Sequence, residues 1–125
     1  MAPLGIFDFT IPAGDDAYSI SNTFQLPLDV TLWGVFPHMH ILGSGYEMSL
    51  EDQCIVRSDK YDFDNQLTYM FNAPIDIKAE ETISWSCTWN NSSSNPDLIS
   101  NPPTDVGYGE RTDEEMCYAF SLISF

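Results

Sequence analysis

Residues Thr82–Trp89 read TISWSCTW, and this stretch carries the most direct information about the fold. In an extended strand, side chains two residues apart point to the same side of the backbone. Trp85, Cys87 and Trp89 therefore share one side. Two indoles and a thiol on one side predict a strand whose inner face is buried in a core.

Strand-like runs recur along the chain, and helical periodicity is absent over any useful length. Turn-forming residues separate the runs at Pro12–Gly14, Gly43–Gly45 and Asn72–Pro74, and Asn90–Pro103 is polar enough to predict a surface loop. We therefore expect residues 1–125 to form a single all-β domain, an antiparallel β-sandwich that is jelly-roll-like. The runs outside the first stretch are Ala17–Leu26, Val30–Phe36, Tyr46–Leu50, Leu67–Asn72 and Met116–Phe125.

The chain is strongly acidic, with 19 Asp and Glu against 4 Lys and Arg and a formal net charge of −15. Such a surface repels the phosphates of nucleic acids and of anionic lipids, so neither is an expected partner. It attracts cations, including metal ions. No stretch has the length and apolarity of a membrane span, and the start of the chain lacks the pattern of a signal peptide.

The three cysteines, Cys54, Cys87 and Cys117, permit one disulfide and one free thiol. None belongs to a Cys-x-x-Cys pair of the kind that binds zinc. A single disulfide would indicate an oxidising compartment, so we expect a secreted or periplasmic protein.

The only two histidines of the chain, His38 and His40, are separated by Met39. On a strand, both imidazoles project from one side and lie close enough to bind a single ion. Imidazole is a good ligand for copper and zinc. The same spacing is also compatible with a hydrogen-bonded histidine pair that binds no metal.

The residues before the histidines predict the surroundings of that pair. Phe36, Leu32 and Val30 share its alternation, which predicts an apolar wall on the same face. Pro37 has no backbone N–H to donate to a sheet. The segment is therefore expected to be an edge strand or the end of a strand, where ligands remain accessible.

The last predicted strand begins after an acidic turn at Thr112–Glu115. Its alternation predicts two faces. A methionine on a strand is either a core side chain or a soft metal ligand, and the sequence leaves both open for Met116. One face carries Met116, Tyr118, Phe120 and Leu122, and the other carries Cys117, Ala119, Ser121 and Ile123.

These segments resemble a known family. Pro37–Gly43 (PHMHILG) is similar to the His-x-His-x-Leu-Gly stretch of the copper type II, ascorbate-dependent monooxygenases. This is the family of peptidylglycine α-hydroxylating and dopamine β-monooxygenases. Asp113–Cys117 (DEEMC) resembles its Asp-Glu-Met-Cys element, and Cys87 matches the cysteine that pairs with the one in that element. The resemblance extends from about Phe24 to Phe125.

The resemblance implies the C-terminal, oxygen-activating copper domain of such an enzyme, with a nine-stranded jelly-roll-like sandwich. It implies that His38, His40 and Met116 bind the catalytic copper and that Cys87 and Cys117 form a disulfide. The expected function is hydroxylation of a C–H bond in a small organic substrate, with O2 or peroxide as oxidant and an external reductant such as ascorbate.

The chain also departs from the family. Phe36 stands where the peptide-amidating members have Arg, and Tyr118 and Phe120 stand where they have Asn and Tyr. A peptidylglycine substrate is therefore not expected. These three aromatic side chains form either an apolar approach for the substrate or part of the core. Cys54 is left without a partner and is expected to be a buried free thiol.

A complete family enzyme also has a second copper, held by three histidines in a preceding domain, and this chain has no histidine beyond His38 and His40. The chain is either an excised C-terminal domain, whose N-terminal copper domain is a possible partner, or a single-copper protein. Two alternatives to an enzyme stay open: a copper-binding module without turnover, and a structural sandwich without metal.

Overall fold

The computed structural model describes all 125 residues, Met1–Phe125. It contains ten β-strands and one short 3₁₀ turn at Phe63–Asn65. None of the chain forms a helix of the length and apolarity needed to cross a membrane. The strands are β1 (Ala2–Ile6), β2 (Thr10–Ile11), β3 (Tyr18–Gln25), β4 (Val30–His38), β5 (Gly43–Leu50), β6 (Gln53–Ser58), β7 (Tyr69–Ile77), β8 (Thr82–Trp89), β9 (Val106–Gly107) and β10 (Cys117–Ser124).

Eight of the strands form two four-stranded sheets that pack on one another. The first sheet has the order β1-β10-β4-β7, and the second has the order β3-β8-β5-β6. Strands β2 and β9 form a separate short ribbon, and every pairing is antiparallel. The predicted all-β antiparallel sandwich is confirmed. There are ten strands where the resemblance implied nine, and two of the ten are only two residues long.

The core lies between the two sheets and contains the three side chains singled out on β8. Trp85, Cys87 and Trp89 are all fully buried, as predicted. The disulfide implied by the resemblance is present, and it joins Cys87 on β8 to Cys117 at the start of β10. It therefore links the two sheets. Closing a loop over a sequence separation of 30 residues stabilises the fold by roughly 3–4 kcal/mol through the entropy of the unfolded chain.

Strand β4 reverses its inward alternation halfway along. Val30 and Leu32 face the core, and so does Val35. The pairing with β10 passes from Leu32 to Gly34 and skips Trp33, which is exposed. One extra residue in a strand is a β-bulge, and it shifts every later side chain to the opposite face.

Because of the bulge, the apolar wall predicted beside the histidines is only partly present. Val30 and Leu32 point into the core, whereas Phe36 and His38 lie on the outer face of the first sheet, where both are half-buried. Of the three residues expected to continue the histidine face, only Phe36 does so. Strand β4 is central, but its pairing with β7 ends at Val35, so Pro37 lies at a strand end and not on an edge strand.

The turn expected at Asn72–Pro74 lies inside β7. Strand β7 is an edge strand, and its pairing with β4 covers Tyr69–Met70 and Ile75–Ile77 but not the residues between them. Proline is tolerated there because an unpaired edge position needs no N–H donor. The turn residues therefore form an irregularity within one strand and do not separate two.

Four strands had no predicted counterpart: β1, β2, β6 and β9. Strands β2 and β9 are too short to show an alternation, and β1 contains Pro3 and Gly5. Cys54 lies on β6, another edge strand, and is exposed, so the expectation of a buried thiol is wrong.

The predicted loop at Asn90–Pro103 contains no strand. Its first turn is fixed to the body of the protein by Asn91, which is buried. The side-chain amide of Asn91 donates to the backbone carbonyls of Ile11, Pro12 and Thr104. The loop thereby holds the ribbon of β2 and β9 close to the end of β8.

Candidate metal centre

The histidine pair lies where β4 leaves the first sheet. His38 is the last residue of β4 and is half-buried, and His40 follows two residues later and is buried. The centroids of the two imidazole rings are 5.2 Å apart, with an angle of 82° between the ring planes. The two rings are thus neighbours, as the spacing predicted.

Hydrogen bonds orient both rings through the same nitrogen. Nδ1 of His38 is 2.9 Å from the side-chain oxygen of Gln66, and Nδ1 of His40 is 3.0 Å from the backbone oxygen of Glu114. The Gln66 amide nitrogen donates to the carbonyl of Phe63, so its oxygen is the atom that faces His38. Because both partners are acceptors, each Nδ1 carries the proton and each neutral ring keeps its lone pair on Nε2. Metal-binding histidines are commonly oriented in this way.

Met116 lies in the same region, one residue before β10 begins. Tyr118 pairs with His38 across the antiparallel β4–β10 ladder. Continued by two residues, this register places Met116 opposite His40. Met116 and His38 both line an open cleft of about 430 Å³. Met116 and His38 therefore share one cleft, whereas His40 does not line it and lies against the ring of His38.

Aromatic side chains form much of the remaining cleft wall. Tyr118 and Phe120 line it and stack with ring centroids 5.2 Å apart and nearly parallel planes. The Phe120 ring is also 6.2 Å from that of His38. Phe36 pairs with Phe120 across the ladder but does not line the cleft. Glu110 adds one carboxylate to the wall, so the cleft is aromatic with one acidic group.

A buried carboxylate, Glu115, supports the histidine segment from the other side. It accepts hydrogen bonds from the backbone N–H groups of His40 and Leu42 and from the indole of Trp89. Burial raises the pKa of Glu115 to about 7, and hydrogen bonds from Leu42, His40, Trp89 and Met116 limit that rise. The sequence indicated only an acidic turn here, since alternation alone does not reveal which acid is buried.

Tyr61 fixes the residue between the two histidines. Its hydroxyl donates to the backbone oxygen of Met39 at 2.7 Å and accepts from the Met39 N–H at 3.0 Å. Burial raises the pKa of Tyr61 to about 12. The nearby Phe63 ring packs edge-on against His40, with ring centroids 5.8 Å apart. Tyr61, Phe63 and Gln66 all follow β6 in an irregular segment, and no sequence motif indicated their role.

The donors present are consistent with a soft or borderline ion. No group of three or more His, Cys, Asp or Glu side chains is arranged to bind a metal. The predicted ligand set of His38, His40 and Met116 has a different composition, with two imidazoles and a thioether. This set is neutral, and its mixture of nitrogen and sulfur suits copper better than it suits magnesium or calcium.

Comparisons with known proteins give no independent identification. No protein-family model matches the chain, and no curated protein matches it. The resemblance to the copper monooxygenases therefore remains a prediction from the sequence motifs.

Proposed function

We propose that this chain is a mononuclear copper domain, with His38, His40 and Met116 as ligands, that hydroxylates a C–H bond of a small organic substrate. One observation carries the proposal. The two imidazoles are adjacent, each has its Nδ1 occupied by a protein acceptor, and Met116 lines the same cleft as His38.

The donor chemistry supports copper in particular. Imidazole binds both oxidation states of copper, and a thioether favours Cu(I). No cysteine belongs to the set, because Cys87 and Cys117 are joined in the disulfide and Cys54 is on the edge strand β6. The set therefore differs from that of a blue-copper electron carrier, which includes a thiolate.

The protein's own groups shape the surroundings of the ion. Gln66 and the Glu114 carbonyl hold the two rings in place, while Tyr118 and Phe120 form an aromatic wall of the cleft. When bound, copper would supply the activation of O2 or peroxide that the protein side chains cannot provide. The cleft is open on one side, which leaves room for a small organic substrate.

With O2 as oxidant, hydroxylation consumes two electrons and two protons and releases water, and both electrons have to come from outside the chain. With only two histidines, the chain has no second site of three histidines. We propose ascorbate or another external reductant as donor, directly or through an N-terminal copper domain. The disulfide supports a secreted or periplasmic location, where such bonds persist.

A copper-binding module without turnover is the second candidate. The net charge of −15 favours it, because an acidic surface gathers cations whether or not catalysis follows. The two candidates share the ligand set and differ in whether a bound substrate is oxidised. Copper-loaded protein incubated with ascorbate and O2, or with peroxide, and a panel of small C–H substrates separates them. Tight copper binding without substrate oxidation would favour the module.

Copper titration tests the ligand set itself. We expect the apo-protein to bind Cu(I), and the double variant His38→Ala/His40→Ala to lose this binding. Met116→Ile is expected to weaken Cu(I) binding far more than Cu(II) binding, because it removes only the thioether. Met70→Ile is the matched control, since Met70 is exposed on β7. Tight binding by the double variant, or equal loss of both copper states in Met116→Ile, would contradict the proposed ligands.

A further inference from the structure

Glu115 occupies the point where the two ligand-bearing segments meet. Its side chain is 1% exposed. One carboxylate oxygen accepts from the His40 N–H at 2.9 Å and from the Trp89 indole at 2.7 Å, and the other accepts from the Leu42 N–H at 2.9 Å. The three ion pairs of the protein all lie elsewhere. Burying a carboxylate costs free energy unless its hydrogen bonds are made. The three N–H donors around Glu115 therefore favour the one local geometry in which all of these bonds form.

These hydrogen bonds lie just beyond the β4–β10 ladder. The ladder begins with the pairing of Tyr118 and His38, so neither His40 nor Met116 is held by it. Past that point, the segments are joined by two kinds of contact. One is the hydrogen bond from His40 Nδ1 to the Glu114 carbonyl, and the other is the set of hydrogen bonds to the Glu115 carboxylate.

We propose that Glu115 is a positioning residue that sets the distance between Met116 and the histidine pair and so brings the thioether into the copper site. This inference rests on the proposed function. Met116 directly follows Glu115 in the chain, and the carboxylate of Glu115 accepts hydrogen bonds from the backbone N–H groups of His40 and Leu42. The contacts thus connect the backbone of one ligand to the backbone of another without touching a ligand side chain.

The role is specific to a carboxylate. Glutamine has the same shape, but one of its two terminal atoms is an amide nitrogen, which is a donor. In Glu115→Gln that nitrogen would face an N–H group of His40, Trp89 or Leu42, and this contact would be lost. His38 and His40 would still form a chelating pair, because Gln66 and Tyr61 support them independently.

The experiment compares Glu115→Gln with Glu81→Gln. Both variants remove one carboxylate, but the side chain of Glu81 accepts its hydrogen bond from the Lys78 N–H in the turn between β7 and β8, which carries none of the proposed ligands. Cu(I) and Cu(II) affinities are measured by chelator competition, and X-ray absorption of the Cu(I) form reports whether a sulfur atom is bound. We expect Glu115→Gln to lose the sulfur signal and to weaken Cu(I) binding about 10–100-fold, with a much smaller effect on Cu(II). Glu81→Gln should bind both copper states like the wild type.

Two results would overturn the inference while leaving the proposed function intact. One is a Glu115→Gln variant with the sulfur signal and Cu(I) affinity of the wild type. The other is an equal loss of Cu(I) and Cu(II) affinity, which indicates general disorder of the site. Failure of the proposed function itself is seen in the wild type, which would then bind no copper.

A second pair of variants keeps the test decisive if Glu115→Gln does not fold. Trp89→Phe removes one donor to Glu115, whereas Trp85→Phe removes an equally buried indole whose N–H has no partner. We expect Trp89→Phe to weaken Cu(I) binding by a smaller factor than Glu115→Gln and Trp85→Phe to leave it unchanged. Equal Cu(I) affinities in the two tryptophan variants would overturn the inference.

Discussion

The two halves of β4 belong to one continuous strand, and both contact the core, but only the second half leads to the histidine pair. Before the bulge, Val30 and Leu32 are almost fully buried between the sheets. After it, Phe36 and His38 lie on the outer face of the first sheet and lead to the histidine pair. The single extra residue, Trp33, separates a core half from a site half.

The difference shows how a rigid sandwich can carry a polar site. The core half is stabilised by apolar burial, which is non-directional. The end of the site half and the residues just after it are held by directional hydrogen bonds to Glu115, Tyr61 and Gln66. A change in the core half should therefore leave copper binding largely intact, and a change in the site half should leave the packing of the core largely intact.

The largest effect is expected in the core half. Leu32 is 2% exposed, and Leu32→Ala would leave a cavity that costs about 2–5 kcal/mol of unfolding free energy. Copper affinity should not change as long as the variant is folded. Phe36→Ala, on the half-buried outer face of the same strand, should cost less stability. Thermal and urea unfolding measure the first effect, and Cu(I) competition measures the second. Lower copper affinity in a folded Leu32→Ala variant would show that the two halves are coupled.

The next effect concerns the pH dependence of the site half in the metal-free protein. Burial raises the pKa of Glu115 from 4.5 to about 7. The folded state therefore holds this proton more tightly than the unfolded state does. The contribution of this proton to the free energy of unfolding is full below pH 4.5 and is lost as the pH rises through 7. The loss amounts to about 3 kcal/mol.

Comparison with Glu115→Gln isolates this contribution from the other acidic groups. The difference in unfolding free energy between wild type and variant should change by about 3 kcal/mol between about pH 4 and pH 8. The stability of the wild type should fall relative to the variant as the pH rises. Glu81→Gln is the control and should show the pH dependence of the wild type. If the difference in unfolding free energy between wild type and Glu115→Gln did not change with pH, burial would not raise the pKa of Glu115.

The central part of the fold is predictable from local patterns. Thr82–Trp89 forms a strand with the bounds and buried face that alternation indicates, and the faces of β10 follow in the same way. Alternation fails at Trp33, because a bulge depends on the partner strands and not on the bulged strand alone. It also misses β2 and β9, whose two residues each are fixed by tertiary contacts, including those of Asn91.

The site is predictable only in its central residues. The spacing of His38 and His40 indicates that their rings are adjacent, and the resemblance names Met116. Tyr61, Gln66 and Glu115 are not predictable in the same way, because each acts through a contact with residues far away in the chain. The disulfide of Cys87 and Cys117 came from the resemblance as well, since three cysteines alone allow several pairings.

The smallest expected effect distinguishes the site half from the rest of the sandwich. Tyr61→Phe removes the hydroxyl that bonds both the N–H and the carbonyl of Met39, which should cost about 1–2 kcal/mol of unfolding free energy. Because Met39 separates the two histidines, Cu(I) affinity should also fall severalfold. Tyr69→Phe is the control: its hydroxyl bonds only that of Tyr46, at 2.8 Å. It should lower stability by a similar or smaller amount without changing copper binding. Equal copper affinities in the two variants would mean that the backbone between the histidines needs no support from Tyr61, and that the adjacent imidazoles are positioned by β4 alone.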